Sequence, residues 1–242
     1  IGEAYRQIKE GRAQVMVTGG SEASINEIGI GGFAALSTLS TATDPAQASL
    51  PFDARRQGFV MGEGGATLIL ESLEHAQAHN ATILGEITGY GTNCDAYHMT
   101  SPNPNGEVAA RAMQMAIAES QITPADVDYV NAHGTGTIAN ELAESAALQR
   151  VFGTDNKVQV SSTKSMTGHL LGAAGALEAV ITVGALTAGI LPPNVGLQTP
   201  DPDCQVNLIR EPQSAPDAQY GMSNSFGFVG HNAVLVFKKW SD

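Results

Sequence analysis

The sequence is short of cysteine, of basic charge and of aromatic rings. Its two cysteines, Cys94 and Cys204, lie far apart among 242 residues. They offer neither a disulfide framework nor metal-ligand spacing, so a reducing, cytoplasmic setting is expected. Lysine and arginine number 12 against 24 acidic residues, a net charge of −12. A surface this acidic argues against general nucleic-acid binding, which depends on neutralising phosphates, although a local basic patch remains compatible with it. Aromatic residues make up 5% of the chain. No internal repeat, low-complexity linker or secretory leader is visible. The chain opens on Ile1-Gly2-Glu3-Ala4-Tyr5-Arg6-Gln7-Ile8, a helical pattern with no initiator methionine, and reads as a piece of a longer protein.

What is present is apolar material in short, alternating blocks. Hydrophobic residues form 43% of the chain, which excludes a disordered tail and supports a large core. Strands are predicted at 13–18, 66–70, 83–90, 126–132 and 157–161. Helices are predicted at 106–120, with Val108, Met113, Met115 and Ile117 as its apolar surface, and at 141–152. A glycine-rich turn at 221–225 and the run 233–238 suggest a terminal hairpin. The proline-bearing stretches 192–193 and 200–216 read as loops. Such alternation predicts a layered α/β fold with a mixed sheet. The run from Leu170 to Leu191 carries only Glu178 as a charge and is long enough to span a bilayer. Its glycine and alanine content, without basic or aromatic flanks, favours a closely packed core helix and no membrane.

Three glycine-rich segments beside apolar elements hold the candidate chemistry: Asn131–Thr137, Ser161–His169 and Asn224–Asn232. His133 and His169 lie in separate strand-end loops, where α/β proteins gather reactive groups. No Asp or Glu stands beside them at zinc-ligand spacing, so no metal is expected there. His169 is placed at a helix start, where the positive helix end favours a neutral imidazole that donates a hydrogen bond to a developing oxyanion. Lys164, if buried, needs an anion, and Glu178 is the candidate. Thr135 and Thr137 either bind a polar ligand or stabilise their turn. Phe228, flanked by glycine, reads as a gate or as a packed hairpin aromatic.

These motifs carry a resemblance. HGTGT at His133–Thr137, SSTKSMTGHLLGAAG at Ser161–Gly175 and NSFGF at Asn224–Phe228 resemble the elongating β-ketoacyl-acyl-carrier-protein synthases, the condensing enzymes of fatty-acid and polyketide synthesis. PFDARRQGFVMGEG at Pro51–Gly64 and DAYHMTSP at Asp95–Pro102 match as well. The resemblance implies a thiolase-like fold of layered helices and mixed sheets, with 1–80 the end of the first half and 81–242 the whole second half. It implies decarboxylative Claisen condensation, with no cofactor beyond the phosphopantetheine arm of the acyl carrier protein, and a homodimer or heterodimer. It makes His133 and His169 the catalytic pair for malonyl decarboxylation, Lys164 the organising lysine and Glu178 its acidic partner. Thr135 and Thr137 would meet the pantetheine arm, and Phe228 would be the gating aromatic, its backbone N–H contributing to an oxyanion hole.

The sequence departs from the family pattern in three places. The nucleophilic cysteine is expected upstream of Ile1, and Cys94, which reads as a small buried residue, does not replace it. Val229 stands where most members have glycine, which should stiffen the gating loop. Ile138-Ala139-Asn140-Glu141 follows HGTGT where many fatty-acid members have proline. Arg55 and Arg56 suggest a docking patch for an acidic carrier protein or, equally, a structural salt bridge. An incomplete sheet would leave open edges and an apolar face, so these residues alone are not expected to make a stable active enzyme without the N-terminal portion. The competing readings are a non-catalytic chain-length-factor partner, disfavoured by the complete His133–Lys164–His169 set, and a degradative thiolase, disfavoured by the lack of a late second cysteine.

Overall fold

A computed structural model describes residues 1–154 and 157–241. The chain runs α1 (Gly2–Lys9), β1 (Val15–Glu22), α2 (Glu27–Ala35), β2 (Gly64–Glu71), α3 (Leu73–Ala78), β3 (Gly85–Cys94), α4 (Glu107–Glu119), β4 (Tyr129–Asn131) and α5 (Ile138–Phe152). It continues through β5 (Gln159–Ser161), α6 (Lys164–Thr167), α7 (Ala174–Ala188), β6 (Ile190–Leu191), β7 (Gln213–Ser214), β8 (Tyr220–Phe226) and β9 (His231–Lys239). Five strands form a mixed sheet in the order β3-β9-β8-β4-β5. In it β4 runs parallel to β5 and β8, while β9 is antiparallel to β3 and β8. A second sheet contains β1 and β2, antiparallel, with Val17 opposite Ile69.

Helix α7 lies between the two sheets, touching β8 and β9 on one side and β1 and β2 on the other. The layered α/β fold predicted from alternation is therefore present, and the apolar run is its central helix. That run is not one helix, as first read. Leu171 adopts φ +44°, a 3-10 turn occupies Leu171–Ala173, and α7 ends at Gly189 in the left-handed conformation before the chain enters β6. Residues 171–188 are apolar and long enough to pass for a membrane span, but Ala174, Ala176, Ala179, Ala185 and Leu186 are buried in the protein.

Helix α4 covers the sheet with Ala109, Ala112, Met113 and Ala116, the spacing of one helical face. It sits very close to β3, since a Cβ on Gly91 would lie 1.9 Å from the Ala112 carbonyl oxygen. Met115, expected on that face, is exposed, because it falls about half a turn from Met113 and about a quarter turn from Ala116, off the side of the buried stripe. The glycine-rich stretch 221–225 is strand β8 and not a turn. The reversal comes later, at Phe228–Gly230, where Val229 and Gly230 take positive φ. The proline-bearing stretch 200–216 contains β7, paired with β6.

One face of the structure exposes apolar side chains. Along β1 and β2 alternate side chains face outward, among them Val17 and Ile69, 70% and 66% exposed. Helix α2, unforeseen from the sequence, has no buried residue although Ile28, Ile30 and Phe33 lie along it. Amphipathic elements normally turn such residues to a core.

Candidate active site

The site begins where β4 ends. Tyr129, Val130 and Asn131 are fully buried between β5 and β8, and the next turn carries His133. Its backbone N–H and that of Gly134 donate to the two oxygens of Glu144, each at 2.8 Å. Asn140 Nδ2 and Asn224 Nδ2 donate to the same carboxylate at 3.2 and 3.1 Å. Glu141, one turn earlier in α5, accepts from Gly136 N at 3.0 Å and pairs with Arg56 at 3.0 Å. Two buried carboxylates of α5 thus hold the whole His133–Thr137 loop. Burial pushes the Glu141 carboxyl up, to about 7, against the pull of Arg56.

Lys164 and Glu178 form an ion pair buried between α6 and α7. Lys164 Nζ also donates to the His133 carbonyl at 2.6 Å and faces His133 Nδ1 at 3.4 Å. Burial pushes Glu178 upward, and the ammonium opposes it. His169 is pinned by its backbone, donating to Val60 O at 2.7 Å and accepting from Gly62 N at 2.9 Å. Gly168 permits this approach, with φ +70° and a Cβ position 3.0 Å from Val60 O. Leu171 N donates to His169 Nδ1 at 3.1 Å, at the start of the 3-10 turn Leu171–Ala173 and not of α7, which begins at Ala174.

The two histidine rings meet at 5.2 Å, nearly perpendicular, with Phe226 and Phe59 against them. Desolvation, then the Lys164 charge, hold both well below the ordinary imidazole range, His169 at about 3. Both rings are neutral at pH 7. With Nδ1 facing an N–H donor, each carries its proton on Nε2, assigned from the hydrogen-bond pattern. The result is a pair of uncharged donors beside one another, His133 buried and His169 half-buried, suited to one developing oxyanion.

The other predicted residues fall into place less uniformly. Thr135 and Thr137 are engaged with each other, Oγ1 to Oγ1 at 2.9 Å, and Thr137 caps α5 through Asn140 N, so both stabilise their turn. Phe228 is 41% exposed and leans on Phe33 at 6.3 Å; it is not a packed hairpin aromatic. Beside it Val229, φ +64°, holds a branched side chain in the left-handed region, where such residues are strained. Cys94 is exposed, contrary to expectation, and its Sγ donates to Val229 O at 3.2 Å. Arg56 is no docking residue: its side chain is 1% exposed and bridges Glu141 and Asp201. Arg55 pairs with Asp53 and donates to Gln198 and Gly196. The roles of Glu141, Glu144 and Asn140 were missed in the sequence, and Asn224 was named only as part of its motif. The one signal for the two carboxylates was a pair of acids three residues apart shortly after HGTGT.

A helix between two sheets, with a histidine pair and a buried lysine at its start, is an arrangement of the thiolase-like class. Family profiles described as "Beta-ketoacyl synthase, N-terminal domain" and "Beta-ketoacyl synthase, C-terminal domain" match residues 1–76 and 84–198, and the chain belongs to the β-ketoacyl synthase family. It is 50% identical over 241 residues to 3-oxoacyl-[acyl-carrier-protein] synthase 2 of Staphylococcus aureus strain COL, covering 99% of this chain and 58% of that protein. It is 48% identical to the protein of the same description from Synechocystis sp. strain PCC 6803, with the same coverage. Among solved structures, a type II polyketide ketosynthase in complex with its acyl carrier protein superposes with a TM-score of 0.95 at 38% identity, over 99% of this chain and 59% of that one. A β-ketoacyl synthase from Burkholderia phymatum STM815 gives 0.94 at 42%, over 99% and 58%. The chain therefore spans about 58% of the length of the curated relatives it matches.

Proposed function

We propose that this chain is the greater part of a β-ketoacyl-acyl-carrier-protein synthase, which lengthens an acyl group by decarboxylative Claisen condensation with malonyl-acyl carrier protein in fatty-acid or polyketide synthesis. The observation that carries the reading is the meeting of two neutral imidazoles at 5.2 Å. In the reaction the bond between the malonyl carboxylate and its α-carbon breaks, carbon dioxide leaves, and the electron pair passes to the thioester as an enolate. Two Nε2–H groups on the thioester oxygen stabilise that charge as it develops. Lys164, itself held by Glu178, orients His133 through its carbonyl and Nδ1, and its charge adds to burial in keeping the ring unprotonated. The α-carbon then attacks the acyl thioester on a cysteine, whose thiolate leaves.

That cysteine belongs upstream of Ile1, on an N-terminal continuation of α1. Support comes from a cavity of about 240 Å³ lined by Ile1, Gly2, Gly172, Gly175 and Ser225, which joins the start of α1 to the turn after His169. Thr135 and Thr137 are positioned to meet the pantetheine arm by reorienting their shared hydroxyls, and Phe228 gates the entrance. The partners are an acyl carrier protein, the N-terminal portion and a second ketosynthase-type subunit, alike or different. The setting is cytoplasmic, which the two free cysteines support, and no cofactor beyond the carrier's arm is needed. A chain-length-factor role is the alternative. The complete set of His133, His169, Lys164 and Glu178 in one buried cluster favours the enzyme.

The test uses the full-length protein. In His133→Ala and His169→Ala, malonyl decarboxylation falls at least about a hundredfold, the scale of losing an oxyanion donor, while acyl transfer to the enzyme stays measurable. Equal loss of both steps overturns the assignment, and an absent nucleophile upstream of Ile1 favours the non-catalytic partner.

A further inference from the structure

Outside the condensing site, one group of side chains is brought together for which that chemistry has no use. Glu71 ends β2, and His75 and His79 follow one helical turn apart on and just after α3. His75 Nδ1 lies 2.5 Å and His79 Nε2 2.8 Å from the same oxygen, Glu71 Oε2. The three ligand atoms fall within 4.8 Å of one another, and the imidazole rings are 5.1 Å apart.

The backbone beneath them is fixed. Glu71 is in register with Val15 of β1. Ser72 donates its N–H to Gln14 O at 2.9 Å, and its Oγ accepts from His75 N at 3.3 Å. Buried Ala76 anchors the helix. The side chains above are open to solvent, His75 37% and His79 51% exposed. Two imidazole nitrogens and one carboxylate oxygen form a familiar three-ligand set for zinc. In the present arrangement each ring must carry a proton on the nitrogen facing Glu71, and a cation entering there would displace both. Metal–ligand distances of about 2.0–2.2 Å require the carboxylate to retreat slightly from the two nitrogens, a torsional adjustment open to a surface glutamate.

We propose that Glu71, His75 and His79 form a binding site for one divalent transition-metal ion of the zinc class, with solvent completing the coordination. The site is independent of the condensing reading. It clips the end of β2 to α3, seven strand residues from Gly64, which is roughly 20 Å at the usual rise; Gly64 is the end of β2 that packs on Leu170, next to His169.

The test is a titration of the full-length, chelator-treated protein with Zn²⁺ alone, followed by calorimetry and by thermal midpoint. The expected result is one ion bound per chain with a rise in midpoint, since a ligand that binds only the folded state stabilises it. His75→Ala and His79→Ala abolish both, and Glu71→Gln weakens them, with condensing activity unchanged in His79→Ala. No one-to-one binding, or binding of equal affinity in both histidine variants, overturns the proposal.

Discussion

The loop around His133 and the outer face of β1–β2 treat the same physical problem in opposite ways. Around His133, charges are buried and almost every one is answered: Glu144 accepts four hydrogen bonds and Lys164 meets Glu178 and a carbonyl. Glu178 Oε2 and Asn224 Oδ1 are exceptions. On the sheet face, apolar side chains that water disfavours stand in the open, Val17, Ile69 and Ile28 among them. The first region is finished from residues within this chain. The second has the composition of a core and the exposure of a surface, which marks it as a contact face.

The sharpest way to break this contrast is to remove a charge from the finished side. In Lys164→Met, Glu178 is left buried without its partner, and a stability loss of about 3–5 kcal/mol is expected in urea unfolding of the full-length protein. The double variant Lys164→Met/Glu178→Leu should regain most of it, because an apolar pair of similar volume replaces a buried ion pair at little cost. A single-variant loss under about 1 kcal/mol would mean that the network does not depend on the pair.

On the exposed side the informative change adds a charge. If the β1–β2 face is covered in the full-length protein, Ile69→Asp places a carboxylate in a core and costs roughly 2–4 kcal/mol, read from the same unfolding curves. If the face is solvent-exposed there, the substitution stays within about 0.5 kcal/mol, as ordinary surface changes do. The latter result would remove the distinction between the two regions.

What could be read from the sequence follows the same division. Short apolar runs marked β1, β2 and β3, and helical patterns marked α4 and α5; β1 and β2, expected to be buried, instead alternate between a half-buried face and an exposed one. Helix α2 was not predicted because, Phe33 apart, its apolar residues stand exposed, so no amphipathic pattern distinguishes an inside. His133, Lys164 and His169 were legible because unusual residues sit in glycine-containing turns beside strands, and Glu178 because it is the lone charge in the apolar run that became α7. Glu141 and Glu144 were not, since a carboxylate on a helix is ordinarily a solvated one, and only folding shows that two backbone N–H groups of the His133 turn converge on Glu144. His75 and His79 were not singled out, since two histidines four residues apart are ordinary until folding brings in Glu71 from the end of β2.

The smallest effect concerns the proton balance of the finished region. His169 has its folded pKa depressed to about 3 from an unfolded value near 6.5. Below about 6.5 the unfolded chain takes up a proton that the folded site refuses, so this histidine's contribution is complete above that pH and is lost progressively as pH falls toward 3. Glu141, raised to about 7, works the other way, since its folded form holds a proton that the unfolded form has released between about 4.5 and 7. The two partly cancel in the wild-type profile, so the difference between variants is the quantity to measure. In His169→Phe, which keeps an aromatic ring against Phe59, acidification from pH 6 to pH 5 should cost about 1 kcal/mol less than in the wild type, close to the limit for one proton per pH unit. Parallel stability profiles for the two proteins would show that His169 is not held neutral by its surroundings, and the pairing of two uncharged donors at the heart of the site would lose its electrostatic basis.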